Sequence, residues 1–165
     1  KEGKLFYGRI HDCWVTVIDK NGKVKLSLVE PWDWEVGRKA LARRPKNWKS
    51  LCEKEKAIYE HKYNRNGILE NGELSGYGVL TGEEAALRYL DNGSVNLDRG
   101  DIALIYTDGF EEYDKLKEFL GIFLRWEKDG ERKTESALKR FSKEQAEGDE
   151  GKFGHERTLI AVRYQ

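Results

Sequence analysis

A chain of 165 residues fits one domain, and a single core at that length buries about 68–70% of the unfolded surface, so a second full domain is not expected. At 38% hydrophobic and 36% charged, the chain is too apolar to stay disordered and too charged to lie in a membrane. Lys plus Arg, at 30, cancel Asp plus Glu, at 30, which removes any overall pull toward nucleic acid or acidic lipid and leaves only local patches to bind polyanions.

No run approaches the roughly 20 apolar residues of a bilayer span, and Lys1-Glu2-Gly3-Lys4 lacks the apolar stretch of a signal peptide, so no membrane partner and a cytoplasmic location are expected. Cys13 and Cys52 are too few for a metal knuckle and read as free thiols. With no Met anywhere, the 165 residues read as a fragment, a single but incomplete domain.

In chain order, the β-branched run 13–18, the Asn21-Gly22 pair and the alternating run 24–28 predict a β-hairpin with a two-residue type I′ turn. Residues 33–63 read as two helices joined at Pro45, because proline disfavours the α conformation of the residue before it. The stretch 64–78, with Asn66-Gly67 and Asn71-Gly72, reads as a long loop. Thr81 and Glu84 fit a capping box for a helix over 85–90 that ends at Asp91-Asn92-Gly93, followed by a short strand around Val95. The apolar run 101–107 predicts a strand buried on both faces, at the centre of a sheet. An amphipathic helix follows Phe110, with Tyr113, Leu116, Phe119, Leu120 and Phe123 at helical spacing, and another covers 134–145. Residues 147–151 read as a flexible loop and 158–164 as the final strand.

Three polar groups fall at the ends of predicted strands. Asp108, in Thr107-Asp108-Gly109-Phe110, follows the buried strand, where a carboxylate is well placed to hold a hard cation; the spacing equally suits a helix N-cap with Glu111 as its capping-box partner. Asp12 precedes the hairpin and His155-Glu156 precedes the last strand. Singly these are turn and surface residues, and their joint appearance points to a metal site.

The run 100–110, Gly-Asp, apolar strand, Thr-Asp-Gly-Phe, resembles the corresponding motif of the metal-dependent protein phosphatases, the protein phosphatase 2C family. Ile10-His11-Asp12-Cys13 resembles that family's Gly-Asp-Ser strand start, and His155-Glu156-Arg157-Thr158 with the strand after it is similar to the closing motif. The resemblance implies an α/β sandwich of mainly antiparallel sheet flanked by helices. It implies a metal set of Asp12, Asp108 and His155, with Glu156 as a substitute donor and Thr107, Gly109 and Thr158 in support. His155 stands where the family has aspartate. The implied chemistry is hydrolysis of phosphoserine or phosphothreonine in a phosphoprotein by water activated on two or three Mn2+ or Mg2+ ions. The family's bridging aspartate sits in an Asp-Gly-x-Gly-Gly motif that these residues lack, so the chain resembles the carboxyl-terminal two thirds of such a domain. A missing amino-terminal segment or a second chain is then expected to cover an open side of the sheet.

Two other readings compete. His155 in place of aspartate, together with the absent bridging motif, fits a non-catalytic phosphatase-like module that regulates or binds. The basic stretch 38–49, with Trp48 interleaved, has the composition of a nucleic-acid surface, though a solvated helix face explains it more simply.

Overall fold

Residues 3–10, 13–28, 42–80 and 82–165 are described in the computed structural model of the chain. Contacts divide the chain into two units, Lys1–Phe6 with Asp12–Val29 and Ser94–Gln165, and Tyr7–His11 with Glu30–Gly93. The strands are β1 (Gly3–Ile10), β2 (Cys13–Ile18), β3 (Val24–Leu28), β4 (Gly67–Ile68), β5 (Leu74–Ser75), β6 (Leu90–Leu97), β7 (Ile102–Thr107) and β8 (Leu159–Arg163). The helices among the described residues are α1 (Glu53–Tyr63), α2 (Glu111–Asp114), α3 (Lys117–Leu124), α4 (Trp126–Asp129), α5 (Glu131–Gly148) and α6 (Glu150–Phe153).

The first unit is built on a four-stranded sheet in the order β3-β2-β7-β8, antiparallel at every pairing. Strand β7 lies inside it, as its apolar run predicts. The β2–β3 hairpin forms, but its loop is not the two-residue turn expected. Gly22 N–H donates to the Asp19 carbonyl (3.0 Å) and Asp19 N–H to the Lys23 carbonyl (2.9 Å), leaving Lys20, Asn21 and Gly22 in a three-residue loop. Only Gly22 of the three takes positive φ, at 86°, whereas a type I′ turn needs it at both central residues. The Asp19 carboxylate decides the outcome by accepting the Asn21 and Lys23 backbone N–H groups at 2.8 and 2.9 Å.

Register divides the sheet's side chains cleanly. Trp14, Ile18, Ile102, Leu104 and Tyr106 face the helices and pack with Phe110, Tyr113, Phe119, Phe123 and Phe153. On the other face Val17 and Ala103 are covered by Leu5, Val95 and Leu97, whereas Ile105, Ile160 and Val162 are 37%, 55% and 54% exposed. The expectation that β7 is buried on both faces therefore holds at Ile102–Leu104 but not at Ile105.

The amphipathic helix expected after Phe110 is broken into α2, α3 and α4. Leu116, with an extended backbone (φ −94°, ψ 124°), separates the first two, and Arg125 separates the last two. Its apolar face survives the breaks, since Tyr113, Phe119 and Phe123 are all buried. Residues 147–151, expected as loop, lie at the end of α5 and in α6, whose first turn is capped by the Asp149 carboxylate accepting from Lys152 N–H (3.2 Å).

In the second unit Ala42 is helical and the chain leaves the helix at Arg43, next to Pro45; the helix expected over 33–41 lies outside the described residues. After a 3-10 turn at Trp48–Ser50, the next α-helix begins only at Glu53. Residues 64–78 are not a bare loop: they hold the β4–β5 hairpin, closed by Glu70-Asn71-Gly72 in the same hydrogen-bonding pattern as the first hairpin. The capping box expected at Thr81 has one member outside the described residues. Residues Glu84–Tyr89 form a 3-10 helix whose N-cap is Glu83, and β6 runs straight through Asp91-Asn92-Gly93. In the basic stretch, Arg43 donates to the Ser75 hydroxyl, and Arg44 reaches Glu60 at 3.1 Å while its guanidinium lies 4.6 Å from the Trp48 ring centroid. Both arginines thus serve local packing. Among the described residues no helix is long and apolar enough to cross a membrane.

Candidate functional site

Three strand ends meet where β7 stops. Cys13, the first residue of β2, is the cross-strand partner of Thr107, and Leu159 of β8 is the partner of Tyr106. Thr107 and Thr158 lock this corner. Thr107 N–H donates to the Thr158 carbonyl, and Thr158 N–H donates to the Thr107 hydroxyl oxygen, both at 3.1 Å. The two segments singled out in the sequence, 107–110 and 155–158, are therefore directly joined.

Gly109 brings them closer than any other residue could. A Cβ there would collide with the Glu156 carbonyl oxygen and come within 2.9 Å of the Arg157 Cβ. Arg157, which the sequence reading passed over, pins the same segment: its Nη1 donates to the carbonyls of Phe153 (2.8 Å) and His155 (3.0 Å), and its guanidinium lies 5.0 Å from the Tyr113 ring centroid.

The capping reading of Asp108 does not hold. The N-cap positions of the 108–110 turn and of α2 are Thr107 and Phe110, and neither makes a side-chain cap bond. Asp108 instead lines a cleft of about 420 Å³ together with His155. The cleft's other acidic linings are Glu111 and Glu112 from α2 and Asp149 from the start of α6; Lys152 faces them, and Gly109 and Gly151 complete the wall. Glu156 meets this corner through its backbone, against Gly109. Asp12 lies outside the described residues.

The two helical walls are tied to the sheet and to each other. The Tyr106 hydroxyl donates to Asp114 at the end of α2 (2.6 Å) and is hydrogen-bonded to Thr16 (2.9 Å), and burial pushes its ionisation far above the ordinary tyrosine value. The Tyr113 hydroxyl donates to the Phe153 carbonyl (2.9 Å), joining α2 to α6. Glu112 is held below the usual carboxylate range chiefly by Lys115, 2.7 Å away, and also by Lys152, 3.2 Å away. None of Glu112, Asp149 and Lys152 carries a sequence signal of a site; only the packing of α2 against α6 brings them together.

Among the described residues no three His, Cys, Asp or Glu side chains form a group that could hold an ion. Asp108 and His155 are donors of the right kinds, oxygen and imidazole, and the carboxylates of Glu111, Glu112 and Asp149 line the same cleft.

No family model matches the chain, and no curated protein matches its sequence.

Proposed function

We propose that the chain is a phosphatase 2C-like module and that the Asp108–His155 cleft is part of a site hydrolysing phosphoserine and phosphothreonine in proteins. The observation that carries this reading is the interlocking of the 107–110 and 155–158 segments, through Thr107, Thr158 and Gly109, which puts Asp108 and His155 in one cleft at one end of an antiparallel sheet. In that family bound divalent cations supply the activated water. This chain's own residues would do the rest: Asp108 offers a charged oxygen at the end of β7, Arg157 fixes the backbone that carries His155, and Thr107 and Thr158 hold the corner rigid.

Because these residues lack the Asp-Gly-x-Gly-Gly motif that carries the family's bridging aspartate, the isolated 165 residues should hydrolyse p-nitrophenyl phosphate poorly in Mn2+. Joining an upstream segment that bears an Asp-Gly-x-Gly-Gly motif should raise the rate strongly, and Asp108→Asn in the joined protein should then lower Mn2+ affinity by more than about tenfold, since even groups behind the ligands are worth that much. Vigorous Mn2+-dependent hydrolysis by the chain alone, or full activity of the Asp108→Asn protein, would refute this account of the site. A second reading, the non-catalytic binding module, is favoured by His155 standing where the family has aspartate and by the absent bridging motif. It expects the joined protein to bind a phosphoserine peptide and leave it intact.

A further inference from the structure

Within the phosphatase reading, on which this inference rests, we propose that Lys152 is the residue by which the cleft recognises the phosphoryl group of its substrate. A phosphoryl dianion entering the cleft meets the carboxylates of Asp108, Glu111, Glu112 and Asp149, all of which repel it. Among the described linings Lys152 is the one lysine or arginine, so it offers the dianion a permanent opposite charge, beside the imidazole of His155.

Its present pairing leaves it available. The Lys152 ammonium lies 3.2 Å from Glu112 and 5.4 Å from the Phe153 ring centroid, and its side chain is 49% exposed. Glu112 has a closer partner in Lys115, at 2.7 Å, which does not line the cleft. When Lys152 turns to a ligand, Glu112 therefore keeps its nearer partner, Lys115, which also lies 3.6 Å from Glu111. A half-exposed, shared ion pair is weak, and a phosphoryl dianion is the stronger acceptor, so the exchange runs toward the ligand. The backbone of Lys152 does not need to move, because Asp149 holds its N–H at the first turn of α6.

The test is calorimetric titration with inorganic phosphate at saturating Mn2+, on the wild-type chain and on Lys152→Ala, Lys152→Arg, Glu112→Gln and the exposed α5 control Lys143→Ala. Lys152→Ala should weaken phosphate binding by about five- to tenfold, as expected for one charge-assisted bond at a half-exposed site. Lys152→Arg should keep it to within about twofold, since it keeps the charge. Glu112→Gln should tighten binding, because it removes both the competitor for Lys152 and a repelling charge. A merely structural Lys152–Glu112 pair predicts that both truncations weaken binding alike, and that result would overturn the proposal. Phosphate binding by the wild type that Lys152→Ala leaves unchanged would also overturn it while leaving the phosphatase reading in place. A wild type that binds no phosphate would overturn the proposal, whereas the phosphatase reading stands or falls on the activity of the joined protein.

Discussion

Gly109 and Gly121 show how differently one residue type can be used in this chain. At Gly109 an added methyl meets backbone, the Glu156 carbonyl, which cannot yield without moving the segment that carries His155. At Gly121, inside α3, nothing lies within 4 Å of the added methyl. Gly109→Ala should therefore cost about 1–3 kcal/mol, the range for overpacking, whereas Gly121→Ala should stabilise by about 0.5–1 kcal/mol through helix propensity. Urea midpoints of the two variants check both signs; a neutral Gly109→Ala would mean that the corner is looser than the close approach implies. At this scale Asp108 and His155 were legible because each stands at a strand end that periodicity locates. Glu60 was not: on α1 it reads as a free surface carboxylate, yet besides Asn64 one helical turn on (2.6 Å) it accepts from Arg44 (3.1 Å), a partner 16 residues away that only the fold brings in.

At the scale of elements, local sequence predicted the type of structure more often than its limits. The β2–β3 hairpin was legible in Asn21-Gly22, but the choice of a three-residue loop depends on the Asp19 carboxylate, a side chain outside the turn signature. Residues 147–151 carry two glycines and read as loop, yet the Asp149 cap and the burial of Phe153 under Tyr113 make 150–153 a helical turn. Strand β3 is held from its far side as well. Lys25 reaches Asp101 at 2.6 Å and Asp98 at 2.9 Å, and Asp101 is 2% exposed. The hydrogen bond to Asp101, followed by that to Asp98, raises the Lys25 pKa above its ordinary 10.5. Folding thus favours the ammonium, so its stabilisation is fully present below about pH 10.5 and fades as pH climbs through the raised value. Lys25→Met should flatten the alkaline limb of the stability curve and lower stability at neutral pH, where the buried Asp101 would be left without its partner. Parallel stability–pH curves for the two proteins above pH 10 would contradict this assignment.

For the whole molecule, net charge near zero places the burden of solubility on how apolar surface is distributed, and the sheet distributes it unevenly. The helix-facing side is closed by an aromatic core, whereas on the opposite side Ile105, Ile160 and Val162 stand next to one another across β7 and β8, with Ile105 paired to Ile160 and Ala103 to Val162. The resemblance to part of a larger domain implies an open apolar side without naming the residues that show, because burial on the second face depends on what β1 and β6 cover. The register supplies the answer. Val17, on that same face, is wholly buried beneath residues from both of those strands, and exposure begins one strand further along. Replacing Ile160 and Val162 together by Thr keeps the β-branched shape that suits a strand and removes methyl groups that already face water. The double variant should keep its stability within about 0.5 kcal/mol of wild type and bind a hydrophobic dye markedly less. Val17→Thr makes the contrasting case: a hydroxyl placed where no water reaches should cost about 1–3 kcal/mol. A loss of 2 kcal/mol or more in the Ile160, Val162 variant would mean that these side chains are covered in solution and that the open face of the sheet belongs to the isolated chain only on paper.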